Sequence, residues 1–320
     1  MEDMENSVDR VTTCENSSDR YFGTNSNKTN QNLCIFAYDE VITKLRAFFK
    51  GQKGFVEVPA QSRKSILAAC EDPKTIATFN FSGEIWPLPQ TGQMWLEYEL
   101  LKHSHLNGVF CITTNYRDEP KPIEGRHDKV FPMFEFESRG DVKDLENLEK
   151  DLLRFLGFGF GENDFASMSY EELCNKYGTK VLEAGHETQM NNDYGSVLFL
   201  KNFPQRTHPF WNMKHKGDNL FSKIDVILHG METIGSAERS SNVEEMRENF
   251  LTISEGNYAK LLFGRFGRER VMKELDAYLS LPMFPRFGAG IGITRMARAM
   301  KLGGILKSAQ SDAYSALKSL

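Results

Sequence analysis

Apolar residues recur at helical spacing over residues 36–49, at Phe36, Val41, Leu45, Phe48 and Phe49, which predicts a helix with one buried stripe. A turn from Gly51 to Gly54 then leads into a strand over residues 55–58. Residues 108–116 (GVFCITTNY) are apolar and β-branched and read as a strand, with FPMFEF at 131–136 as its antiparallel return across a polar loop. Over residues 141–155 the apolar positions Val142, Leu145, Leu148, Leu152 and Leu153 mark an amphipathic helix. A second set of strands is expected at 197–200 and 224–228, and QTGQMWLE at 90–97 reads as a turn entering a helix. Near the end, FGAGIG at 287–292 reads as a glycine-rich turn opening into a helix over 293–300. No internal repeat or break in composition divides the body, so one domain is expected, with a helical stretch inserted around 169–186.

Residues 1–32 differ from the rest. Asn, Ser, Thr, Asp and Glu dominate there and large apolar side chains are few, so the stretch cannot offset the entropy of ordering and is expected to be a disordered tail. The full 320 residues are 40% apolar, enough for a sizeable core, and a formal charge of −5 offers no global attraction to a polyanion. Contact with nucleic acid would need a local basic patch. Cys14, Cys34, Cys70, Cys111 and Cys174 are scattered and form no CxxC pair, so reduced thiols are the expectation. The acidic, polar start lacks the apolar segment of a signal peptide, and no stretch reaches the roughly 20 apolar residues of a membrane span. These features predict a cytoplasmic protein with no membrane partner.

Four features carry candidate chemistry, each beside a structural alternative. Arg117 and Glu119 stand two apart at a strand end, where both can face one side, and Lys121, Arg126, His127 and Lys129 follow in the same loop. An arginine there can clamp a phosphate through paired hydrogen bonds, and a solvated hairpin tip is the alternative. Asp225 and Glu232 flank a turn at His229 and Gly230 that can bring their hard oxygens together for magnesium shared with phosphates, or they are polar strand ends. Gly288, Gly290 and Gly292 alternate ahead of Arg295, which suits close backbone approach to an anion at a helix start and equally suits tight packing. The pattern is neither a Walker A loop nor a clean GxGxxG. Gln93, at the start of its helix, orients a small polar ligand or serves only as a cap.

In this order, YRDE at 116–119, GRH at 125–127, FPMFEFE at 131–137 and GAGIGITR at 288–295 resemble motifs 2 and 3 of class II aminoacyl-tRNA synthetases. DVILHGMETIGSAER at 225–239 and VLFLKNFPQRTHPFWNMK at 197–214 resemble strands of the aspartyl/asparaginyl subgroup. The likeness runs from about residue 39 to residue 300. It implies an α+β class II catalytic domain over residues 33–320, an antiparallel β-sheet flanked by helices, that acts as a homodimer. The activity it implies is an ATP-dependent, Mg²⁺-requiring ligase that forms an aminoacyl-adenylate and yields AMP and pyrophosphate. By this resemblance Arg117 holds the α-phosphate as charge builds, Glu119 accepts from the adenine amino group and Phe131 stacks on adenine. Arg126 and His127 would grip the outer phosphates, while Arg295, beside Gly292, would cover the other adenine face and reach the γ-phosphate. Asp225 and Glu232 would hold Mg²⁺.

For the amino acid, the resemblance gives Arg239 the side-chain oxygen and Glu71 and Gln93 the ammonium. Glu135 stands where asparagine-specific relatives accept from the carboxamide and aspartate-specific ones carry aspartate, and Leu96 replaces the lysine of the latter. Both markers favour asparagine over aspartate. Several places depart from the family. Asp72 and Pro73 replace glycines after Glu71, the motif 1 proline falls near Gln61, Thr294 replaces an acidic residue, and no anticodon-reading barrel precedes residue 33. The expectation is therefore activation of asparagine and transfer to an acceptor, either a tRNA end or a small amine. Two alternatives stand beside it: an ammonia-dependent asparagine synthetase activating aspartate, and a degenerate paralogue acting as a nucleotide-binding regulator.

Overall fold

The computed structural model describes residues 33–60, 65–67, 71–123, 125–159 and 165–306; the expected tail and the position near Gln61 lie outside these. Helix α1 (Ile35–Arg46) continues as a π-helical turn (Ala47–Gln52) and leads to the short strand β1 (Val56–Glu57). The hairpin of β2 (Thr78–Phe81) and β3 (Glu84–Pro87) precedes α2 (Gln93–Lys102). Strands β4 (Gly108–Tyr116) and β5 (Val130–Arg139) pair antiparallel, and α3 (Val142–Leu156) follows, capped by Asp141 in a capping box and ended by left-handed Gly157. Next come β6 (Ala166–Ser169), α4 (Tyr170–Tyr177), α5 (Ala184–Tyr194), β7 (Val197–Pro204), β8 (His215–Gly217), β9 (Leu220–Leu228) and β10 (Met231–Arg239). The order closes with α6 (Val243–Thr252), α7 (Asn257–Phe266), α8 (Arg268–Leu279), β11 (Arg286–Gly292) and α9 (Ile293–Leu302).

Nine strands among the described residues form one sheet, in the order β1-β4-β5-β11-β10-β9-β7-β6 with β8 beside β9. Pairing is antiparallel except at the two edges, β1 with β4 and β6 with β7. The expected helix at 141–155, the strand pair at 108–116 and 131–136, and the hairpin turning at His229 and Gly230 are all present. One expectation is corrected: residues 286–292 are a central strand and not a turn. Glycines spaced by two all point to one face of a strand, so the alternation marks a stripe without side chains.

The two faces of the sheet are covered differently. On one, Phe110, Phe134, Phe136, Phe199, Val226, Ile234 and Ile291 form the main core with residues of α1, α3 and α9. Phe49 anchors it, its ring centre 4.6 Å from that of Phe136. The opposite face is covered at its two ends only, by α2 with α6, α7 and α8 in one cluster and by α4 and α5 in another. The cleft opens between those clusters. Cys111 and Cys174 are free thiols, and no helix among the described residues is long and apolar enough to cross a membrane.

Glu149 of α3 lies wholly inside the protein, and neither carboxyl oxygen has a hydrogen-bond partner among the described residues. The nearby Ser236 hydroxyl already donates to the Ile224 carbonyl at 2.9 Å. Burial therefore raises the Glu149 pKa well above its ordinary value of 4.5, and the side chain is held neutral. A carboxyl raised in the folded state favours folding below its ordinary pKa, and that contribution is lost as pH rises. Glu149→Gln is thus expected to match the wild type in acid and to exceed it increasingly in Tm as pH climbs above 4.5, as read by thermal melts across pH.

Candidate active site

Strand register builds the floor of the cleft. Glu135 on β5 stands opposite Gly290 on β11, which stands opposite Gly235 on β10, which stands opposite Asp225 on β9. The adjacent row reads Glu137, Gly288, Ala237 and Lys223. Two carboxylates thus face each other across a floor of glycines, in a cleft of about 940 Å³. The bare floor is a packing requirement. A Cβ on Gly288 would collide with the Glu137 carboxylate, and one on Gly290 would lie 2.6 Å from Met133 Cε.

At one end, buried charges form a network. Arg239 donates to Glu137 through Nη2 at 2.7 Å and Nε at 3.2 Å, while Arg286 donates through Nε to Glu97 at 2.9 Å. Tyr278, Asn212 and Gln93 also donate to Glu97, at 2.6, 2.7 and 2.8 Å. Burial alone would raise the Glu97 pKa, yet Arg286 and Arg239 bring it below its ordinary value. Burial dominates at Glu137 and pushes it up to about 8 against the pull of Arg239. Glu135 is held apart from this network. It accepts from the Thr91 hydroxyl, from the Gly92 amide at 2.7 Å and from the Thr113 hydroxyl at 2.7 Å, while burial raises its pKa.

The other end carries most of the charged residues singled out from sequence. The β9–β10 hairpin turns on His229 and Gly230, both left-handed with φ of 47° and 73°, as a two-residue type I′ turn requires. An irregularity between Glu232 and Ile234 then sets Gly235, rather than a bulkier residue, opposite Asp225. Oxygens of Glu232 and Asp225 lie 3.0 and 3.7 Å from the point where a Gly235 Cβ would stand, so the two carboxylates converge over that glycine. Such a pair has the oxygens Mg²⁺ takes, one or two carboxylates with phosphate oxygens and water completing the shell. The Lys223 ammonium already sits on both Asp225 oxygens, however, so Glu232 is the open ligand. Lys223, Arg295, Arg117 and Arg126 outweigh burial and lower the Glu232 pKa, whereas burial lifts Asp225 to about 7 against Lys223.

Arg295 donates to the Glu232 carbonyl at 2.8 Å and to the Arg126 carbonyl at 3.2 Å, joining α9 to the hairpin loop. Arg126 in turn holds Glu187 of α5 at 2.6 Å. Arg117 pairs with Glu71 and lies over the Phe131 ring, 5.4 Å from its centre, and its buried Nε has no partner among the described residues. Glu119 and His127, expected at opposite ends of a bound nucleotide, meet each other at 3.1 Å. Gln90 fixes the segment after Glu71, accepting from the Asp72 amide at 2.9 Å and donating to its carbonyl at 3.0 Å. Leu96 packs among Leu100, Val109 and Cys111, so it shapes the pocket only from behind.

Sequence reasoning missed Lys223, Glu187, Arg298, Glu97 and Glu137 as parts of this site. Arg298, one helical turn past Arg295, lines the cleft and donates to the His229 carbonyl at 3.3 Å; that spacing was a legible signal. Burial and the nearness of Arg126 lower its pKa. Glu97→Gln is expected to cost about 3–5 kcal/mol, as loss of one member of a buried ion pair does, measured as a fall in the urea midpoint.

Comparison with known proteins places this architecture. The family model described as tRNA synthetases class II (D, K and N) matches residues 15–303. An aspartate–tRNA(Asp/Asn) ligase of Methanococcus maripaludis is 20% identical over 72% of this chain and 51% of its own length. An aspartate–tRNA(Asp) ligase of Pyrobaculum aerophilum is 21% identical over 85% of this chain and 65% of its own. The chain therefore spans about half to two thirds of the length of these curated relatives. Asparaginyl-tRNA synthetase from Pyrococcus horikoshii, complexed with asparaginyl-adenylate, superposes with a TM-score of 0.67 at 18% identity, covering 83% of this chain and 64% of that one. The Entamoeba histolytica asparaginyl-tRNA synthetase with asparaginyl-adenylate gives 0.63 at 19% identity, covering 84% and 63%. At these identities the structural likeness establishes the fold.

Proposed function

The chain belongs to the class II tRNA synthetases for D, K and N, and from that premise we propose that it activates asparagine with ATP and passes the asparaginyl group to a tRNA end or a small amine. The observation that carries the choice of asparagine is the charge arrangement around Glu135. Arg239 and Arg286 are paired with Glu97 and Glu137, which leaves Glu135 outside these ion pairs. Three donors already occupy this carboxylate, out of about four lone-pair directions, so one acceptor position remains. A carboxamide gives an N–H to Glu135 and its oxygen to Arg239. A second carboxylate has no N–H to give and would set another acceptor against Glu135.

On this reading an oxygen of the asparagine α-carboxylate attacks the α-phosphorus, the bond to the bridging oxygen breaks, and pyrophosphate leaves. The acceptor's hydroxyl or amine then attacks the acyl carbon and AMP departs. Arg117, with its unpartnered Nε, stabilises the charge that builds on the α-phosphoryl group. Phe131 and Arg295 hold the adenine between them, with Glu119 at its amino group and Gly292 leaving room beside it. Arg126, His127 and Arg298 take the outer phosphates, while Gln93 and a Glu71 released from Arg117 take the ammonium. Magnesium at Asp225 and Glu232 supplies neutralising charge to the phosphates when bound. A homodimer is part of this proposal.

ATP–pyrophosphate exchange tests it. Exchange is expected with asparagine and is expected to drop about 10²–10³-fold in Arg117→Ala, the scale of losing a donor to a developing oxyanion. Exchange with aspartate alone would overturn the asparagine assignment in favour of an aspartate-activating ligase. Nucleotide binding without exchange would favour the regulator.

A further inference from the structure

Lys223 stands two residues before Asp225 on β9 and on the same face of the sheet. Its ammonium donates to both oxygens of the Asp225 carboxylate, at 2.7 Å each. The Phe203 ring lies beneath it, its centre 3.8 Å from the nitrogen. A carboxylate on one side and an aromatic face on the other fix this cation in place. Lys223 and Asp225 both line the cleft, as do Glu232, Arg117, Arg126 and Arg295.

A magnesium ion at such a carboxylate pair offsets the acidic charge and bridges it to phosphate oxygens. The Lys223 ammonium performs the first task at Asp225 without a metal. Glu232 is the freer ligand, with Arg295 3.7 Å from its carboxylate and the Glu232 side chain 39% exposed. Building on the ATP-dependent reading above, we propose that Lys223 is a built-in cation of the nucleotide site. It neutralises Asp225, adds positive charge facing the phosphates, and makes nucleotide binding largely independent of divalent metal, with Glu232 as the principal metal contact that remains. Lys223 acts through Asp225 and is a positioning residue.

The experiment is calorimetric titration of a non-hydrolysable ATP analogue into wild type, Lys223→Arg and Lys223→Ser, each with saturating magnesium and with excess EDTA. Wild type and Lys223→Arg are expected to lose less than about threefold in affinity on chelation, and Lys223→Ser about tenfold or more, which is about 1.4 kcal/mol. In parallel, manganese binding followed by electron paramagnetic resonance without nucleotide is expected to be tighter in Lys223→Ser, where Asp225 is released to the metal. A wild type that loses the analogue in EDTA by tenfold or more overturns the inference, and this comparison decides alone should Lys223→Ser not fold. Failure of wild type to bind the analogue even with magnesium would instead sink the ATP reading itself, so the two failures are distinguishable.

Discussion

Glu97 of α2, Glu137 of β5, Arg239 of β10 and Arg286 of β11 meet under one end of the cleft, each almost wholly removed from water. Burying any one of them alone would be prohibitive, so the four are tolerated only as a set. That requirement reaches well beyond the charges. It ties α2 to the sheet and fixes the register of three central strands, since Arg239 and Arg286 must stand directly opposite each other. It also demands a residue without a Cβ at Gly288, over which Glu137 extends to reach Arg239. The bare position at Gly288 therefore follows from this electrostatic constraint, while Gly290 is kept bare by Met133.

Much of the sheet was legible in the sequence because its strands are apolar, β-branched runs bounded by polar loops. Residues 108–116 and 131–136 show this, and the helix at 141–155 declares itself through its apolar stripe. The strand at 286–292 was misread because glycines look like turn residues unless their spacing by two is weighed first. Helices α6 to α8 were not singled out, because their apolar residues serve a satellite cluster and not the main core. In the site, the arginines and acidic residues that matched family motifs were nameable in advance, and the cleft does gather Arg117, Arg126, Asp225, Glu232 and Arg295. The partners that control their charge were not. Glu187 comes from the inserted α5, and Lys223 looks like an ordinary strand lysine until the fold places Phe203 beneath it.

The two ends of the cleft solve opposite problems. Around Glu135 three protein donors already hold the carboxylate, and on the proposed reading its one remaining acceptor position selects the ligand. At the end that the proposed reading gives to the nucleotide, Arg117, Arg126, Lys223, Arg295 and Arg298 gather, and each holds a carboxylate or carbonyl: Glu71, Glu187, Asp225, the Glu232 and Arg126 carbonyls, and the His229 carbonyl respectively. These internal pairs keep like charges from destabilising the fold in the absence of ligand. On the proposed reading, nucleotide entry exchanges one set of anionic partners for another. The exchange is least costly where the internal partner is exposed, as at Glu71, whose side chain is 46% accessible. It is most costly at Asp225, which is nearly buried. Arg117 is thus the cation poised to let go first, and Lys223 the one that stays with its carboxylate.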